Sequence, residues 1–321
     1  MKQEKIFIAG HRGMVGSSIL GKLQRSNYSN IVTRTRQEMN LMNKHKVLDF
    51  FRDEKIDTVI LCAAKVGGIL ANNTYRADFL YDNLQISSTI IKAAQKFGVR
   101  KLINLGSSCI YPKHADIPIK EEYLLTGPLE HTNEPYAIAK IAALKMCESF
   151  YDQYGCNFYS VMPCNLYGPR DNFDLKSSHV LPALINKIHC AKEKGDKSIE
   201  VWGSGKPLRE FLYVEDLADG VIHCMENINA EDIYSDGVSH INCGSEHEVT
   251  ILELVHLIKD AIGYDGEIVF DSSKPDGTFR KKMDNTRIKS KGFSPKVTLK
   301  DGIVKTYKWY LENLNIDCDQ V

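Results

Sequence analysis

The chain has 321 residues, 43% apolar and 26% charged, which is enough to bury a sizeable core and too apolar to remain disordered. Lys and Arg number 41 against 41 Asp and Glu, so no net field advertises nucleic acid or an anionic membrane, and any anionic ligand must meet a local cluster of cations. No apolar run nears the roughly twenty residues that cross a bilayer, and the apolar stretch within "MKQEKIFIAGHRG" is too short for a secretory leader.

In chain order, "KIFIAG", "NIVTRT", "DTVILCAA", "KLINLG" and "NFYSVMP" read as buried strands, and segments 43–54 and 79–97 between them carry apolar residues every three or four positions. Strand and helix alternating in this way predict an α/β fold, a Rossmann-type doubly wound parallel sheet with ligands at the carboxyl ends of its strands. After about residue 170 the rhythm changes. "SSHVLPALINKIHCAKEKG", "TILELVHLIKDAIG" and "TLKDGIVKTYKWYLEN" read as helices, with short strands around "IEVWGSGKPLREFLYVEDLADGVIHCMEN". The expected organisation is a cofactor domain over 1–170 that also carries the catalytic residues. Residues 171–321 are expected to form mainly a smaller α+β substrate-binding lobe, interleaved with late elements of the first sheet.

The first strand runs into "GHRGMVGSSIL", with Gly10, Gly13 and Gly16 followed by a helix. Glycines there allow a tight turn and close backbone approach, and a helix N-terminus offers free N–H groups to a pyrophosphate. About twenty residues on, an acidic side chain would hold an adenosine ribose. This chain instead has "VTRTRQE", with Arg34 and Arg36. Guanidinium groups suit a 2′-phosphate, Arg12 in the glycine loop can add another, and the expected cofactor is therefore NADPH/NADP+.

"NEPYAIAKIAALKMCESFYDQYG" reads as a long helix with Pro135 in its first turn. Tyr136 and Lys140, four residues apart, share one face about 6 Å apart along the axis. An ammonium beside a phenol is expected to lower the phenol's pKa and ease proton exchange with a carbonyl oxygen. In "LGSSCIYP", Ser107 stands just past a strand end, where its hydroxyl can grip the same oxygen. The nine cysteines are scattered, with no CxxC pair, and fit neither a disulfide framework nor a zinc ribbon. A reducing, cytoplasmic compartment is expected, with no metal.

"GHRGMVGS", "AAKVGGI", "GSSCIYP", "NEPYAIAK", "NLYGPRDNF", "SSHVLPAL", "VWGSGKPLREF" and "KPDGT", in that order along nearly the whole chain, resemble the GDP-L-fucose synthase family of extended short-chain dehydrogenases/reductases. The resemblance implies one site that epimerises GDP-4-keto-6-deoxy-D-mannose at carbons 3 and 5 and then reduces the carbon-4 ketone with NADPH. It implies catalytic roles for Ser107, Tyr136 and Lys140, with Cys109 as the base and His179 as the acid of epimerisation. The other eight cysteines read as packing. Around the cofactor it places Gly10, Arg12, Gly13, Met14, Val15 and Gly16 of the first turn, and Arg36, Asn40 and Leu41 after the second strand. Leu105, Gly106, Ser107 and Ser108 join them at the fourth strand, as do Lys140, His179, and Pro163, Cys164, Asn165 and Leu166, where Cys164 replaces the family's usual threonine.

By the same resemblance Lys187 and Arg209 lie near the substrate diphosphate, Trp202 borders its pocket and Asp276 contacts the sugar nucleotide. Cations on a surface and a tryptophan in a lobe core are the plainer alternatives for these residues. A homodimer through helices 79–97 and 134–154 is implied as well. The rival activities are a nucleotide-sugar dehydratase or epimerase of the same fold, and a catalytically silent NADPH-binding regulator.

Overall fold

A computed structural model describes residues 2–175, 177–274, 276–314 and Cys318; Pro275 of "KPDGT" and most of the chain after 314 lie outside the described residues. The first half alternates as β1 (Ile6–Ala9), α1 (Met14–Arg25), β2 (Ile31–Val32), α2 (Lys44–Glu54), β3 (Thr58–Leu61), α3 (Ile69–Thr74), α4 (Arg76–Lys96), β4 (Lys101–Leu105), α5 (Glu134–Tyr154) and β5 (Phe158–Pro163). Local chemistry sets several of these boundaries. Asn43 caps α2 by accepting from the Lys46 N–H, and α5 opens on a first-turn proline and ends on Gly155 in the left-handed region. β2 is shorter than the six residues of "NIVTRT", because Thr35 and Glu38 close a turn by exchanging side-chain bonds to each other's N–H at 2.6 and 3.3 Å.

The remainder runs β6 (Asn165–Tyr167), α6 (Val180–Lys194), β7 (Ser198–Trp202), β8 (Leu208–Tyr213), α7 (Val214–Asn227), α8 (Glu231–Tyr234) and β9 (Ile241–Cys243). It finishes with β10 (Glu248–Thr250), α9 (Ile251–Ile262), β11 (Glu267–Asp271), β12 (Arg280–Lys281), α10 (Thr286–Ser290) and α11 (Leu299–Asn313). The main sheet has six strands in the order β2-β1-β3-β4-β5-β9, every pair parallel. Its winding reverses between β1 and β3, which opens a crevice at their carboxyl ends, just where the glycine loop begins.

Strand alternation feeds two cores. Ile6 and Ile8 pack with Ile19 and Leu23 of α1 and Leu217 and Val221 of α7, whereas Phe7 and Ala9 pack with Phe51 of α2, Ile90 of α4 and Ala143 of α5. A second lobe is built on β8, flanked by β6, β10 and β12, and on the β7–β11 pair. Its own core joins Leu184 and Ile188 of α6, Leu254 and Ile258 of α9, and Ile303 and Tyr310 of α11. Since α7 and β9 return to the first layers, the two lobes interleave.

Two cysteines depart from the packing role expected of them. Cys190 on α6 is bonded to Cys318, with Cα atoms 5.1 Å apart across 128 residues of sequence. Spacing could not reveal this pairing; it follows from the way α11 lies on α6, where the Tyr310 hydroxyl donates to Asn186 Oδ1 at 2.8 Å.

Candidate active site

The three glycines of the first βα turn do different things. Gly10 has φ +90°, and a Cβ there would stand 2.7 Å from the Ala63 nitrogen at the end of β3. A Cβ on Gly16 would lie 2.3 Å from the Gly10 carbonyl oxygen, so this glycine lets α1 sit down on the loop. At Gly13, which caps α1, the nearest protein atom would be 3.6 Å away. Nothing in the protein demands a glycine at 13; the space it leaves open faces outward from the helix N-terminus, as a pyrophosphate requires. Met14 and Val15 form the first turn of α1 behind it.

The nearby cations divide. Arg34, one of the two arginines assigned above to a 2′-phosphate, is taken: it pairs with Glu54 at 2.5 Å and lies over the Phe50 ring at 5.0 Å. Arg12 and Arg36 are exposed, and among the described residues neither forms a salt bridge. Asn40 spends its side-chain oxygen on the Met42 N–H at 3.1 Å, and Leu41 packs on the core behind. The donor set of glycine loop, helix N-terminus and two unpaired guanidiniums fits a phosphorylated dinucleotide.

At the end of β4, a Cβ on Gly106 would stand 2.0 Å from the Met162 sulfur, so the glycine of "GSS" leaves room for the end of that side chain from β5. Ser107 then caps the short turn Ser108–Ile110, accepting the Cys109 N–H at 3.4 Å. Its hydroxyl neighbours both the Cys109 thiol and the Tyr136 hydroxyl and opposes the rise of each pKa. Ser107, Cys109 and Tyr136 therefore cluster past the end of β4. Lys140, buried at 5% exposure, donates to the Leu105 carbonyl at 2.8 Å and stands 5.8 Å from the Tyr136 ring centre.

The electrostatics differ from expectation at Tyr136. Burial raises its pKa, the neighbouring Cys109 adds to the rise, and the Ser107 hydroxyl opposes it; the expected lowering by Lys140 is not what governs. The ammonium has turned to the backbone of β4 instead. Burial pulls Lys140 itself down to about 8, against the stabilising pull of Cys109 and Cys62. Burial also raises the Cys109 thiol, and Lys281, Ser107 and Lys140 act against it. Lys281 was not singled out in the sequence, where "FRKKM" offers only a short basic run.

His179 stands on the second lobe, just before α6. It precedes α6 as its N-cap residue without spending its side chain on a cap bond. The residue is exposed, while the surrounding protein desolvates its imidazole and lowers its pKa. The segment before it is tied to the first lobe, since the Gly68 N–H of "AAKVGGI" donates to the Ser177 carbonyl at 2.8 Å and a Cβ on Gly68 would meet the Ser178 oxygen at 2.7 Å.

Pro163 ends β5, and Cys164 hangs its N–H on the Cys243 carbonyl at 3.2 Å, with its thiol buried and its pKa pushed well up by that burial. Asn165 ties β6 to β8 through the Glu210 carbonyl at 2.9 Å, and Leu166 follows it on β6. Of the expected substrate contacts, Lys187 is half-buried on α6. Trp202, 69% exposed, ends β7 with the Lys274 ammonium 5.6 Å from its ring centre, so it is not lobe core. Arg209, on β8, has its pKa lowered by burial. Asp276 is already engaged: its two oxygens take the Ser204 N–H at 2.9 Å and hydroxyl at 2.6 Å, so it braces the Gly203–Lys206 loop.

Residues 6–244 match the model of the NAD dependent epimerase/dehydratase family. The GDP-L-fucose synthase of Escherichia coli K12 is 52% identical over 98% of this chain and 98% of its own length. A probable GDP-L-fucose synthase 1 of Oryza sativa subsp. japonica is 54% identical over 98% of this chain and 94% of its own. This chain belongs to the GDP-L-fucose synthase family. The fold of the family extends to a solved GDP-L-fucose synthetase from Naegleria fowleri bound to NADP, which superposes with a TM-score of 0.87 at 30% identity, covering 98% of this chain and 96% of that one.

Proposed function

We propose that this chain is a GDP-L-fucose synthase, an NADPH-dependent oxidoreductase with epimerase activity that converts GDP-4-keto-6-deoxy-D-mannose to GDP-L-fucose. The observation that carries this reading is Ser107 standing beside both Cys109 and Tyr136, with Lys140 seated on the last carbonyl of β4. A ketone oxygen held by Ser107 and Tyr136 acidifies the C–H bonds at carbons 3 and 5, and places them beside a thiol.

Cys109 as thiolate takes the proton from one face; the C–H electron pair passes into the enolate, whose oxygen stays on Ser107 and Tyr136. His179, whose pKa burial lowers, returns a proton to carbon from the opposite lobe, which inverts the centre. NADPH supplies the hydride for carbon 4. Tyr136 then gives its proton to the carbon-4 oxygen, and its raised pKa keeps that proton on the phenol until the alkoxide demands it. Lys140 holds the nicotinamide ribose from its seat on the Leu105 carbonyl. Lys187, Arg209 and Trp202 receive the GDP moiety, the first two by charge and the third by its flat face.

The reading extends to a cytoplasmic homodimer. No helix is long and apolar enough to cross a membrane among the described residues. Tyr81 on α4, and Ile138 and Tyr154 on α5, are 63%, 43% and 49% exposed, apolar surface on the two helices that a second copy would use.

Purified protein mixed with NADPH and GDP-4-keto-6-deoxy-D-mannose is expected to oxidise the cofactor and yield GDP-L-fucose; no loss of absorbance at the dihydropyridine band rejects the proposal. In heavy water, Cys109→Ser is expected to lose solvent deuterium incorporation at carbons 3 and 5 by about a hundredfold or more, with ketone reduction persisting. Undiminished exchange rejects the role of Cys109.

A further inference from the structure

Cys109 stands in the middle of a short turn, Ser108–Ile110, and a turn of that kind has little stiffness of its own. Its backbone closes it loosely, the Ile110 N–H reaching the Ser107 carbonyl at 3.2 Å and the Tyr111 N–H the Ser108 carbonyl at 3.4 Å. The ends are held more firmly. Before the turn, the Gly106 N–H donates to Val161 O on β5 at 2.9 Å. After it, Tyr111, 3% exposed, reaches β9 and the residue that precedes it. Its hydroxyl donates to Asn242 Oδ1 and stands 2.6 Å from His240 Nε2.

The protons of this network have one arrangement. Asn242 Nδ2 donates to the Ile119 carbonyl at 3.1 Å and the Asp284 carbonyl at 3.2 Å, which spends both amide hydrogens and leaves Oδ1 as the acceptor. The Tyr111 phenol keeps its proton, because burial raises its pKa well above the ordinary value and Glu121 adds to the rise. That single proton goes to Asn242, so the Tyr111 oxygen accepts from His240, whose hydrogen sits on Nε2. Nδ1 is then the acceptor that faces the Ser239 hydroxyl at 3.3 Å. Burial keeps the imidazole neutral by lowering its pKa to about 3, and the charges of Lys145 and Arg287 act the same way. His240 and Asn242 are fully buried, so a bond removed from the set leaves its partner desolvated and unpaired.

Asn242 is itself fastened. Its N–H donates to Glu121 Oε1 at 3.0 Å, and Glu121 pairs with Arg287 of α10 at 2.8 Å. Through the Tyr111 hydroxyl, the turn that carries the thiol is made fast to a frame drawn from β9, residues 119–121 and the chain at Asp284.

We propose that Tyr111 is a positioning residue of the epimerisation, its hydroxyl bonded between His240 and Asn242 so that the Cys109 thiol is held where it meets the C–H bonds next to the ketone. This rests on the reading of Cys109 as the base. The grip on the ketone is set by other anchors: Tyr136 and Lys140 ride on α5, Lys140 is seated on the Leu105 carbonyl, and Ser107 precedes the turn beside the Gly106 bond. Loss of the Tyr111 anchor is therefore felt by proton abstraction more than by hydride transfer, since a reacting group misplaced by about 1 Å can cost about a hundredfold.

The test compares wild type with Tyr111→Phe, His240→Gln and His240→Leu. Tyr159→Phe serves as a control that loses a different buried hydroxyl, one bonded to the Cys224 and Ile228 carbonyls. Deuterium incorporation into the keto sugar from heavy water, measured with NADP+ so that no reduction competes, reads the base; single-turnover NADPH oxidation reads hydride transfer. Tyr111→Phe is expected to lower deuterium incorporation about tenfold or more, while NADPH oxidation and the KM for the keto sugar stay within about threefold. Its products then include sugar reduced at carbon 4 with the original configuration at carbons 3 and 5. His240→Gln, whose amide Nε2 restores an N–H donor, is expected to keep deuterium incorporation within about threefold of wild type, and His240→Leu to lose it as Tyr111→Phe does. Imidazole nitrogen NMR of the wild type is expected to find the His240 hydrogen on Nε2 alone.

Undiminished deuterium incorporation in a folded Tyr111→Phe overturns the proposal. So does a joint fall of incorporation and hydride transfer, or an equal fall of incorporation in Tyr159→Phe, either of which makes the hydroxyl a support of the fold alone. A wild-type His240 hydrogen on Nδ1 overturns the bonding on which the proposal stands. Should Tyr111→Phe fail to fold, the two His240 variants decide, and equal incorporation in both overturns it. If the wild-type protein neither incorporates deuterium nor oxidises NADPH with the keto sugar, the functional reading falls and takes this proposal with it; wild-type incorporation that Tyr111→Phe leaves unmoved fells the proposal alone.

Discussion

The ammonium of Lys140 donates to the carbonyl oxygen of Leu105 at 2.8 Å, and that bond, not an approach to the phenol of Tyr136, fixes where the cation stands. The last carbonyl of β4 thereby positions the lysine proposed to serve the reduction. Burial has moved Lys140 down to about 8 from its ordinary 10.5, which sets two pH effects.

The first concerns turnover. As the pH rises through about 8, Lys140 loses its charge and ketone reduction is expected to decline. Lys140→Arg is expected to push this alkaline limb up, because guanidinium does not deprotonate in that range. Pre-steady-state NADPH oxidation between pH 6 and 10 reads it; an alkaline limb at the same pH in both proteins refutes the assignment. The second concerns stability. Between about 8 and 10.5 the unfolded chain keeps the Lys140 proton and the native one has shed it, so this group alone makes the fold gain stability with rising pH across that window, and contribute a burial penalty below it.

Gly13 and Gly16 should separate cofactor binding from folding. Gly16→Ala forces a methyl group to 2.3 Å from backbone that cannot yield, and a loss of about 1–3 kcal/mol of stability is expected, read as a lowered melting temperature without ligand. Gly13→Ala meets nothing closer than 3.6 Å. Its melting temperature without ligand should match wild type while NADPH affinity falls; two equally stable variants would contradict the division of labour drawn for this loop.

Arg36 and Arg34 give a parallel contrast. Arg36→Met is expected to reduce the preference for NADPH over NADH by about tenfold or more, the worth of a charge-assisted bond to phosphate. Arg34→Met breaks a bond to Glu54 and should leave the preference within about twofold, since a half-exposed ion pair carries only about 0–1 kcal/mol. Ratios of kcat/KM for the two nicotinamides, measured at one salt concentration, decide between them.

The division between Arg34 and Arg36 also marks how far the sequence could be read. Alternation and period exposed β1, β3, β4 and β5 and helices α1, α2, α4 and α5, because each is a buried strand or an amphipathic helix whose pattern is local, while the six-residue α3 escaped. Ser107, Tyr136 and Lys140 were legible for the same reason, a fixed spacing at a strand end and on one helix face. Which arginine is left unpaired was not legible from spacing, although the resemblance named Arg36, since both follow the same strand and Glu54 on α2 separates them. Lys281 was hidden by its strand of two residues, too short to show a period. β9 was masked by sitting between second-lobe elements, and the Cys190–Cys318 bond by the 128 residues between its ends.

That sulfur bridge has a mechanical consequence. The helix that opens at His179 and carries Lys187 is moored twice, by the backbone bond from Gly68 to Ser177 near its start and by the crosslink at Cys190. Tension applied to the chain near Cys318 travels along a covalent leash to the element that would deliver the second proton, so a thiol reductant and a thiol oxidant would leave the substrate-binding side of the cleft with different stiffness.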